Sequence, residues 1–376
     1  MRGSALILTA GLLALSACST WRAVEVRQGW TLYGVPGREV DAEAFRVAFE
    51  PAFRCVEATL GPFRGTVRVH ALSGSAGPGS EGEIALARDV PGIGRARVRA
   101  WHARGQGWFG SRTGIYAEEP DAGTAVHELV HARFAEAARD LPLWLEEGIA
   151  CLLGDGFFDG ERWVVDGYAC WPVRQLRDQA LSDEELARVL RVSAAQSASA
   201  RDSVLVHFVG WAIVFDLHRE SGRLDWSTWA RRYARGVGVA EARERIGRTI
   251  SAEVEAEWLE RLADEGRGVR MATAKGVWKL RSRTAIEDLL EALEREEDAE
   301  ARVALAVNAL AAAGEMRLAR ETRDRLWRAV WPVLRRGELP DEDEDAALRD
   351  LYRSYRRRGD TSSQEALERL RRFWAE

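Results

Sequence analysis

One stretch of this sequence decides the fold class that we predict: His127-Glu128-Leu129-Val130-His131. From Asp121 onward the apolar residues follow helical spacing, and residues four apart lie on one face of a helix. Both imidazoles can therefore reach one metal ion, and two histidine nitrogens leave zinc room for a third ligand and a water molecule. Glu128 would then lie beside that water as the general base. The alternative is an amphipathic helix whose two histidines bind no metal.

The residues after this motif exclude one class of zinc protein and point to another. Metzincins need a glycine three residues and a histidine six residues after the second histidine, but Phe134 and Ala137 occupy these positions. Ten residues after His131 the sequence reads Leu141-Pro142-Leu143-Trp144-Leu145-Glu146-Glu147-Gly148-Ile149-Ala150. This stretch resembles the proline–x–tryptophan–leucine–x–glutamate–glycine segment of gluzincin metallopeptidases, especially the bacterial peptidase-MA-like group related to thermolysin and aminopeptidase N.

The resemblance covers about residues 30–265 and implies both a fold and a chemistry. The fold class is α+β, with a small mixed sheet lobe followed by a mainly helical zincin lobe. In the family, the glutamate before the glycine lies on a second helix and is the third zinc ligand; it corresponds to Glu147, and Glu146 is the competing position. The implied activity is hydrolysis of peptide bonds by water that one Zn²⁺ ion activates. The implied partner is therefore a peptide or protein substrate.

A hydrolase of this kind also needs a donor that stabilises the oxyanion formed when the carbonyl is attacked. The family uses a tyrosine or a histidine on a later helix for this purpose. This sequence departs from the tyrosine pattern and has His207 in the apolar helix predicted over residues 202–219. His207 is therefore the candidate donor, although a lone histidine on an apolar helix is also typical of a core residue. Weaker candidates for the same role are Tyr116, Tyr168 and His218.

The resemblance also suggests how a substrate is held. Residues 114–117, ahead of the metal helix, are predicted to form an edge strand that pairs with the extended backbone of a peptide. The sequence has no motif for a substrate amine before that helix, which favours an endopeptidase. A metal-bound histidine usually donates its other N–H to a carboxylate or carbonyl. Nothing in the sequence selects among the nearby carboxylates of Glu118, Asp121, Asp155 and Asp166.

The N-terminal residues predict export. Met1-Arg2 precedes an apolar stretch, residues 5–17, which is too short to span a bilayer and has the layout of a secretory signal. It ends in Leu15-Ser16-Ala17-Cys18, which resembles the lipobox of bacterial lipoproteins and implies cleavage before Cys18 and acylation of that residue. Ser19 after the cysteine implies delivery to the outer membrane, at its periplasmic face or at the cell surface. The alternative is an ordinary signal peptide with an accidental cysteine.

A length of 376 residues is enough for two or three domains. We predict a signal peptide (1–17), a tether (18–29), an N-terminal α/β lobe (30–120), a helical zinc-binding lobe (121–265) and an all-helical C-terminal domain (270–376). The last of these shows no fixed repeat period, and a protein partner for its helices is a further expectation. This extra domain and the missing tyrosine motivate a second hypothesis. In it, a catalytically inactive zincin-fold lipoprotein acts as a binding or assembly factor.

Composition excludes several other classes. Hydrophobic residues make up 46% of the chain and charged residues 30%, as in a globular protein. The net charge of −5 leaves no basic surplus for phosphates, so we expect no nucleic-acid partner. Beyond the signal segment no apolar run is long enough to span a bilayer. Cys151 and Cys170 flank one Gly-rich turn and could form a disulfide, but buried thiols are equally consistent for them and for Cys55.

Overall fold

The computed structural model of this protein describes residues 22–34, 39–71, 88–90, 94–96, 100–107, 110–117, 121–137, 141–158, 162–165, 171–193, 200–277, 280, 282–315 and 318–335. The chain divides into two compact units, one made of residues 1–167 and 175–249 and the other of residues 168–174 and 250–376. The division after residue 249 comes before helices that belong to the predicted lobe 121–265. The predicted signal peptide and Cys18 lie outside the described residues, as does 336–376 of the predicted C-terminal domain.

The first unit contains a sheet and the helices that carry the predicted site. Its strands are β1 (Arg22–Val26), β2 (Trp30–Gly34), β3 (Val67–Ala71), β4 (Arg88–Val90), β5 (Gly94–Ala96), β6 (Ala100–Gly107), β7 (Gly110–Ala117), β8 (Phe157–Phe158) and β9 (Trp163–Val164). Its helices are α1 (Ala42–Leu60), α2 (Ala122–Glu136), α3 (Leu143–Gly154), α5 (Asp183–Leu190), α6 (Ala200–Ser221), α7 (Trp226–Arg232) and α8 (Val239–Thr249). Helix α4 (Trp171–Gln179) includes residues of both units.

The main sheet is mixed. Within the described residues it has five strands in the order β1-β2-β3-β7-β6. The three central strands run parallel, whereas β1 and β6 are antiparallel to their neighbours at the two edges. The helices from residue 122 onward follow this sheet in the chain. The predicted α+β class, with a small mixed sheet followed by a mainly helical region, is therefore confirmed.

Two strand predictions need correction. Residues 114–117 do not form an edge, because β7 pairs with β3 on one side and with β6 on the other. The edge strand is β6, whose glycines and lack of alternation hide it from sequence patterns. Strand β1 lies within the predicted tether 18–29, where pairing with β2 makes residues 22–26 part of the sheet. Both errors have the same cause: strand formation here depends on a partner strand rather than on local pattern.

Helix α1 continues through Pro51, where the sequence pattern is interrupted. An interior proline costs a helix about 3 kcal/mol, so packing of the apolar face must offset that loss. The large apolar side chains that this helix buries are Phe45, Phe49, Phe53 and Val56. At its end, Arg133 Nε of α2 donates a hydrogen bond to the Gly61 carbonyl at 2.9 Å, which ties the two helices together.

The second unit is helical wherever the structure describes it. Its elements are α9 (Ala252–Glu260), a 3₁₀ turn (Arg261–Ala263), α10 (Arg267–Val277), α11 (Arg283–Arg295), α12 (Ala299–Glu315) and α13 (Arg320–Arg335). Helix α13 continues through Pro332. Among the described residues of the whole chain, no helix has the length and apolar character needed to cross a membrane.

Candidate metal centre

Helix α2 presents both histidines of the first motif. Asp121 is its N-cap, and Asp121 Oδ2 accepts a hydrogen bond from Thr124 N at 2.7 Å. The large apolar side chains that fix the helix in the core are Val126, Leu129, Val130 and Phe134. With that face buried, the four-residue spacing turns His127 and His131 the same way, and their Nε2 atoms lie 3.2 Å apart.

Helix α3 crosses helix α6 at two glycines. A Cβ atom on Gly148 would lie 2.3 Å from the Gly210 carbonyl oxygen, and one on Gly210 would lie 2.2 Å from the Trp144 carbonyl oxygen. The two backbones are therefore in direct contact, which a residue with a side chain would prevent. Glu147 immediately precedes Gly148, and His207 lies about one helical turn before Gly210. The crossing thus brings these two side chains together.

The three predicted metal ligands converge on one point. One donor atom from each of His127, His131 and Glu147 lies within 4.8 Å of the other two. Glu147 Oε2 is 3.5 Å from His127 Nε2 and 3.3 Å from His131 Nε2. Two imidazole nitrogens and one carboxylate oxygen are a ligand set that divalent metals accept. This group could hold a metal ion.

One oxygen of Glu147 has surroundings that fit a bound cation. Oε2 is buried and makes no hydrogen bond, although imidazole nitrogens of His127, His131 and His207 lie 3.5, 3.3 and 3.1 Å away. A buried acceptor that lacks a hydrogen bond is unfavourable and rare in folded proteins. A cation held by this oxygen and by the two α2 nitrogens would remove that penalty. The orphaned oxygen is therefore an argument for a metal that does not depend on the sequence motif.

The charges of His127 and Glu147 already suit metal binding, whereas the raised pKa of His131 means that a metal must displace a proton from that ring. Burial lowers the pKa of His127 to about 3, with a further contribution from His131, so its ring is neutral. Burial acts in the same direction on His131, but Glu147 and Glu146 outweigh it and raise the pKa of that imidazole. Burial raises the pKa of Glu147, yet His207 and His131 hold it well below its usual range. The carboxylate is thus ionised, as a ligand must be.

Glu146 is adjacent to Glu147 but contacts the other ring nitrogen of His131. Glu146 Oε1 lies 2.8 Å from His131 Nδ1, whereas Glu147 faces Nε2 of the same ring. Glu147 rather than Glu146 therefore belongs to the ligand group. His127 in turn donates a hydrogen bond to the backbone of Ala150. Both groups that face the second nitrogen of each imidazole lie on α3, and the sequence pattern pointed to neither of them in this position.

The four carboxylates considered from the sequence have other positions. Asp121 caps α2, and Asp155 follows the last residue of α3. Glu118 and Asp166 lie outside the described residues.

Glu128, the predicted general base, is buried beside the first ligand, with 6% of its surface exposed. Its carboxylate is one of the groups that raise the pKa of His131, which places it in the electrostatic environment of the centre.

Cys151 is also close to the centre: burial raises the pKa of its thiol, and Glu147, Asp155 and Glu128 add to that effect. Cys151 is a buried free thiol, as is Cys55; Cys170 lies outside the described residues.

His207 lies at the centre rather than in the core. Its Nε2 is 3.1 Å from Glu147 Oε2, and its ring stacks on that of His127 with centroids 5.9 Å apart. Its Nδ1 is 2.7 Å from the Ser203 carbonyl oxygen, to which it donates. Burial lowers the pKa of His207, but Glu147 outweighs burial and raises it above its ordinary value. The contact of His207 with Glu147 therefore agrees with a role in the site rather than in the core.

The weaker candidates for the oxyanion donor gain no support. His218 lies about three turns beyond His207 on α6. Tyr168 lies outside the described residues, and so does the side chain of Tyr116.

No protein-family model, curated protein or solved structure matches this chain. Fold and site therefore define the class by geometry alone. The chain is a mixed α+β protein with a His₂Glu group that could hold a metal ion.

Proposed function

We propose that this protein is a zinc-dependent metallopeptidase that hydrolyses peptide bonds with metal-activated water. The observation that carries the proposal is the convergence of His127 and His131 from one helix with Glu147 from a second; the buried Glu128 follows His127 in the first of these helices. Two imidazole nitrogens and one carboxylate are the ligand set of several catalytic zinc sites, and they leave a coordination position open. Zinc is therefore the metal that we assign.

The residues around the metal have separate roles in this mechanism. When bound, zinc lowers the pKa of a coordinated water and polarises the carbonyl of the scissile peptide bond. Glu128 accepts the proton of the attacking water and later gives it to the leaving nitrogen, which lets one carboxylate serve as base and then as acid. Burial of Glu128 keeps bulk water from competing for that proton.

The mechanism also needs a donor for the oxyanion, and His207 is positioned to act as one. Because Nδ1 donates to Ser203, Nε2 is the atom that faces the centre. A protonated Nε2 donates to the oxygen that becomes negative when the carbonyl is attacked.

Replacing His207 with alanine should lower kcat roughly 100-fold or more while zinc stays bound, since loss of one oxyanion donor has effects of that size. The measurement is kcat and KM on a cleaved peptide together with the zinc content. His218→Ala, on the same helix, is the control and should retain kcat. Equal kcat for His207→Ala and wild type would remove His207 from the mechanism.

We propose that strand β6, rather than residues 114–117, is the edge strand that pairs with the backbone of a peptide substrate. It is the outer strand of the sheet on the β7 side in the described residues, and it contacts α2. An extended peptide that pairs with this edge would be held by main-chain hydrogen bonds, largely independently of its side chains. The absence of an amine-recognition motif in the sequence agrees with internal cleavage of such a peptide.

We further propose that the protein is an exported lipoprotein, acylated at Cys18 and held at the outer membrane. The lipobox-like Leu15-Ser16-Ala17-Cys18 supports this proposal. Incorporation of labelled fatty acid into the full-length protein in a bacterial host, lost in Cys18→Ser, is the expected result. Export of the Cys18→Ser protein in soluble form would agree with the anchor, whereas unlabelled wild type would contradict it.

Removal of zinc should abolish peptide cleavage, and addition of zinc should restore it. The experiment measures the zinc content of purified protein and its cleavage of a mixed peptide library, before and after treatment with a chelator. His131→Ala is the matched control and should have neither zinc nor activity, because it removes one of the three ligands. Stoichiometric zinc without cleavage would contradict the peptidase and favour the inactive binding or assembly lipoprotein instead.

A further inference from the structure

The ring of His131 is contacted at both of its nitrogens by helix α3. Glu147 Oε2 lies 3.3 Å from Nε2, and Glu146 Oε1 lies 2.8 Å from Nδ1. Only 8% of the Glu146 side chain and 12% of the His131 side chain are exposed, so water competes little for this contact. We propose that Glu146 is a positioning residue that holds the His131 ring so that Nε2 faces the metal. This inference rests on the proposed metal centre.

Hydrogen-bond chemistry supports this role. The carboxylate oxygen of Glu146 accepts the 2.8 Å hydrogen bond from His131 Nδ1, so that nitrogen carries a proton. Nδ1 of His131 is therefore the donor, and Nε2 is the nitrogen whose lone pair becomes available to a metal when it gives up its proton. That nitrogen is the one located 3.2 Å from His127 Nε2, inside the ligand group. Without Glu146, the ring could rotate or bind through the wrong nitrogen.

Helix geometry explains how two adjacent glutamates have different roles. Consecutive residues of an α-helix point about 100° apart, so Glu146 and Glu147 approach the same imidazole from different directions. Ala150, three residues after Glu147, returns to the metal side of the helix and receives the hydrogen bond of His127. One stretch of α3, residues 146–150, therefore supplies the third ligand and orients both imidazoles.

The two histidines are held with unequal strength. His131 donates to a carboxylate, whereas His127 donates to a backbone group. Hydrogen bonds to ionised groups are about twice as strong as those between neutral groups. The orientation of His131 should therefore depend on one replaceable side chain, while that of His127 depends on the backbone of α3.

A purely structural role for Glu146 must be separated from a positioning role. Glu146 lies in the first turn of α3, where any carboxylate interacts favourably with the helix dipole. A loss of thermal stability on mutation would fit either role. The metal-binding nitrogen of His131 responds to positioning, and so does the difference in metal affinity between Glu146→Leu and Glu146→Gln, because both variants remove the charge and only leucine removes the acceptor.

The test compares Glu146→Leu and Glu146→Gln with wild type in the full chain. Zinc affinity is measured by competition with a chelator, and we expect it to fall about 10–100-fold in Glu146→Leu, the usual effect of losing such a partner. Glu146→Gln should lose less, because the amide oxygen still accepts from Nδ1. Asp216→Asn is the control: it removes a buried carboxylate that pairs with Arg245 and Arg248 on α8, and it should lower stability without changing zinc affinity.

A second readout does not depend on stability. In protein loaded with ¹¹³Cd, nitrogen NMR of wild type should show cadmium coupling to His131 Nε2 and a slowly exchanging proton on Nδ1. In Glu146→Leu the Nδ1 proton should exchange faster, or part of the protein should bind cadmium through Nδ1 instead of Nε2. Wild-type affinity and an unchanged His131 spectrum in folded Glu146→Leu would overturn the proposal. Neither measurement uses peptide cleavage, so a protein that binds zinc but cleaves nothing would contradict the peptidase and still decide the role of Glu146.

Discussion

Replacing Glu128 with glutamine should abolish peptide hydrolysis while leaving zinc bound. Glutamine has the same shape as glutamate, but its amide cannot accept the proton of the attacking water. Glu128 is buried beside the centre and is not one of the three ligands, so its loss should not empty the site. General acid–base catalysis contributes about 10²–10⁴-fold to a rate, so kcat should fall by at least that range. The measurement is kcat with a peptide that wild type cleaves, with zinc content determined on the same sample.

Glu136→Gln is the matched control for this variant. Glu136 lies at the end of α2, and its Oε2 accepts a hydrogen bond from Arg64 N at 2.8 Å in an exposed position. The change removes the same charge from the same helix and should leave kcat unaltered. Wild-type turnover by Glu128→Gln would contradict the assigned base. Loss of both zinc and activity would instead show that Glu128 maintains the centre.

The group that could hold a metal ion could be predicted because its determinants are local in the sequence. Four-residue spacing on a helix is enough to place His127 and His131 on one face. Glu147 is predicted from the resemblance of residues 141–150 to the gluzincin segment, in which the ligand precedes a glycine, and the structure gives a physical reason for Gly148. A side chain at Gly148 would collide with the backbone of α6. The glutamate–glycine pair therefore indicates a close helix crossing as well as a candidate ligand.

Features that depend on partners distant in sequence were harder to predict. The edge at β6 follows from pairing with β7, and β1 joins the sheet only through β2. Neither strand has an alternating pattern strong enough to be recognised alone. His207 could be proposed from its helix, but its contact with Glu147 depends on the crossing of α3 and α6.

The orientation of the imidazoles could be predicted from the sequence only in part. The contact of Glu146 with His131 joins residues only fifteen apart. A signal was present in the sequence, because two adjacent glutamates on a helix point about 100° apart and cannot occupy the same position. Recognising that both approach one histidine requires the packing angle of α2 and α3. Sequence alone does not give that angle.

Replacing Gly148 with alanine should destabilise the first unit and disturb the metal centre. The new Cβ would lie 2.3 Å from the Gly210 carbonyl oxygen and 2.6 Å from the Val214 side chain, so α3 and α6 must move apart. Overpacking of this kind typically costs 1–3 kcal/mol or more, and we expect about 3 kcal/mol because the clash is with backbone. For a unit of this size, that corresponds to a fall in Tm of roughly 6–12 °C. Thermal unfolding and zinc affinity are the measurements.

Gly247→Ala separates this clash from the ordinary effect of changing glycine to alanine. Gly247 lies in helix α8 of the same unit, and nothing lies within 4 Å of the position its Cβ would take. Alanine there should raise stability by about 0.5–1 kcal/mol, because glycine in a helix loses more backbone entropy on folding. The two variants should therefore shift Tm in opposite directions. Zinc affinity should fall only in Gly148→Ala, because that helix movement displaces Glu147 from the histidines. Equal Tm and zinc affinity for Gly148→Ala and wild type would contradict the close crossing on which the centre depends.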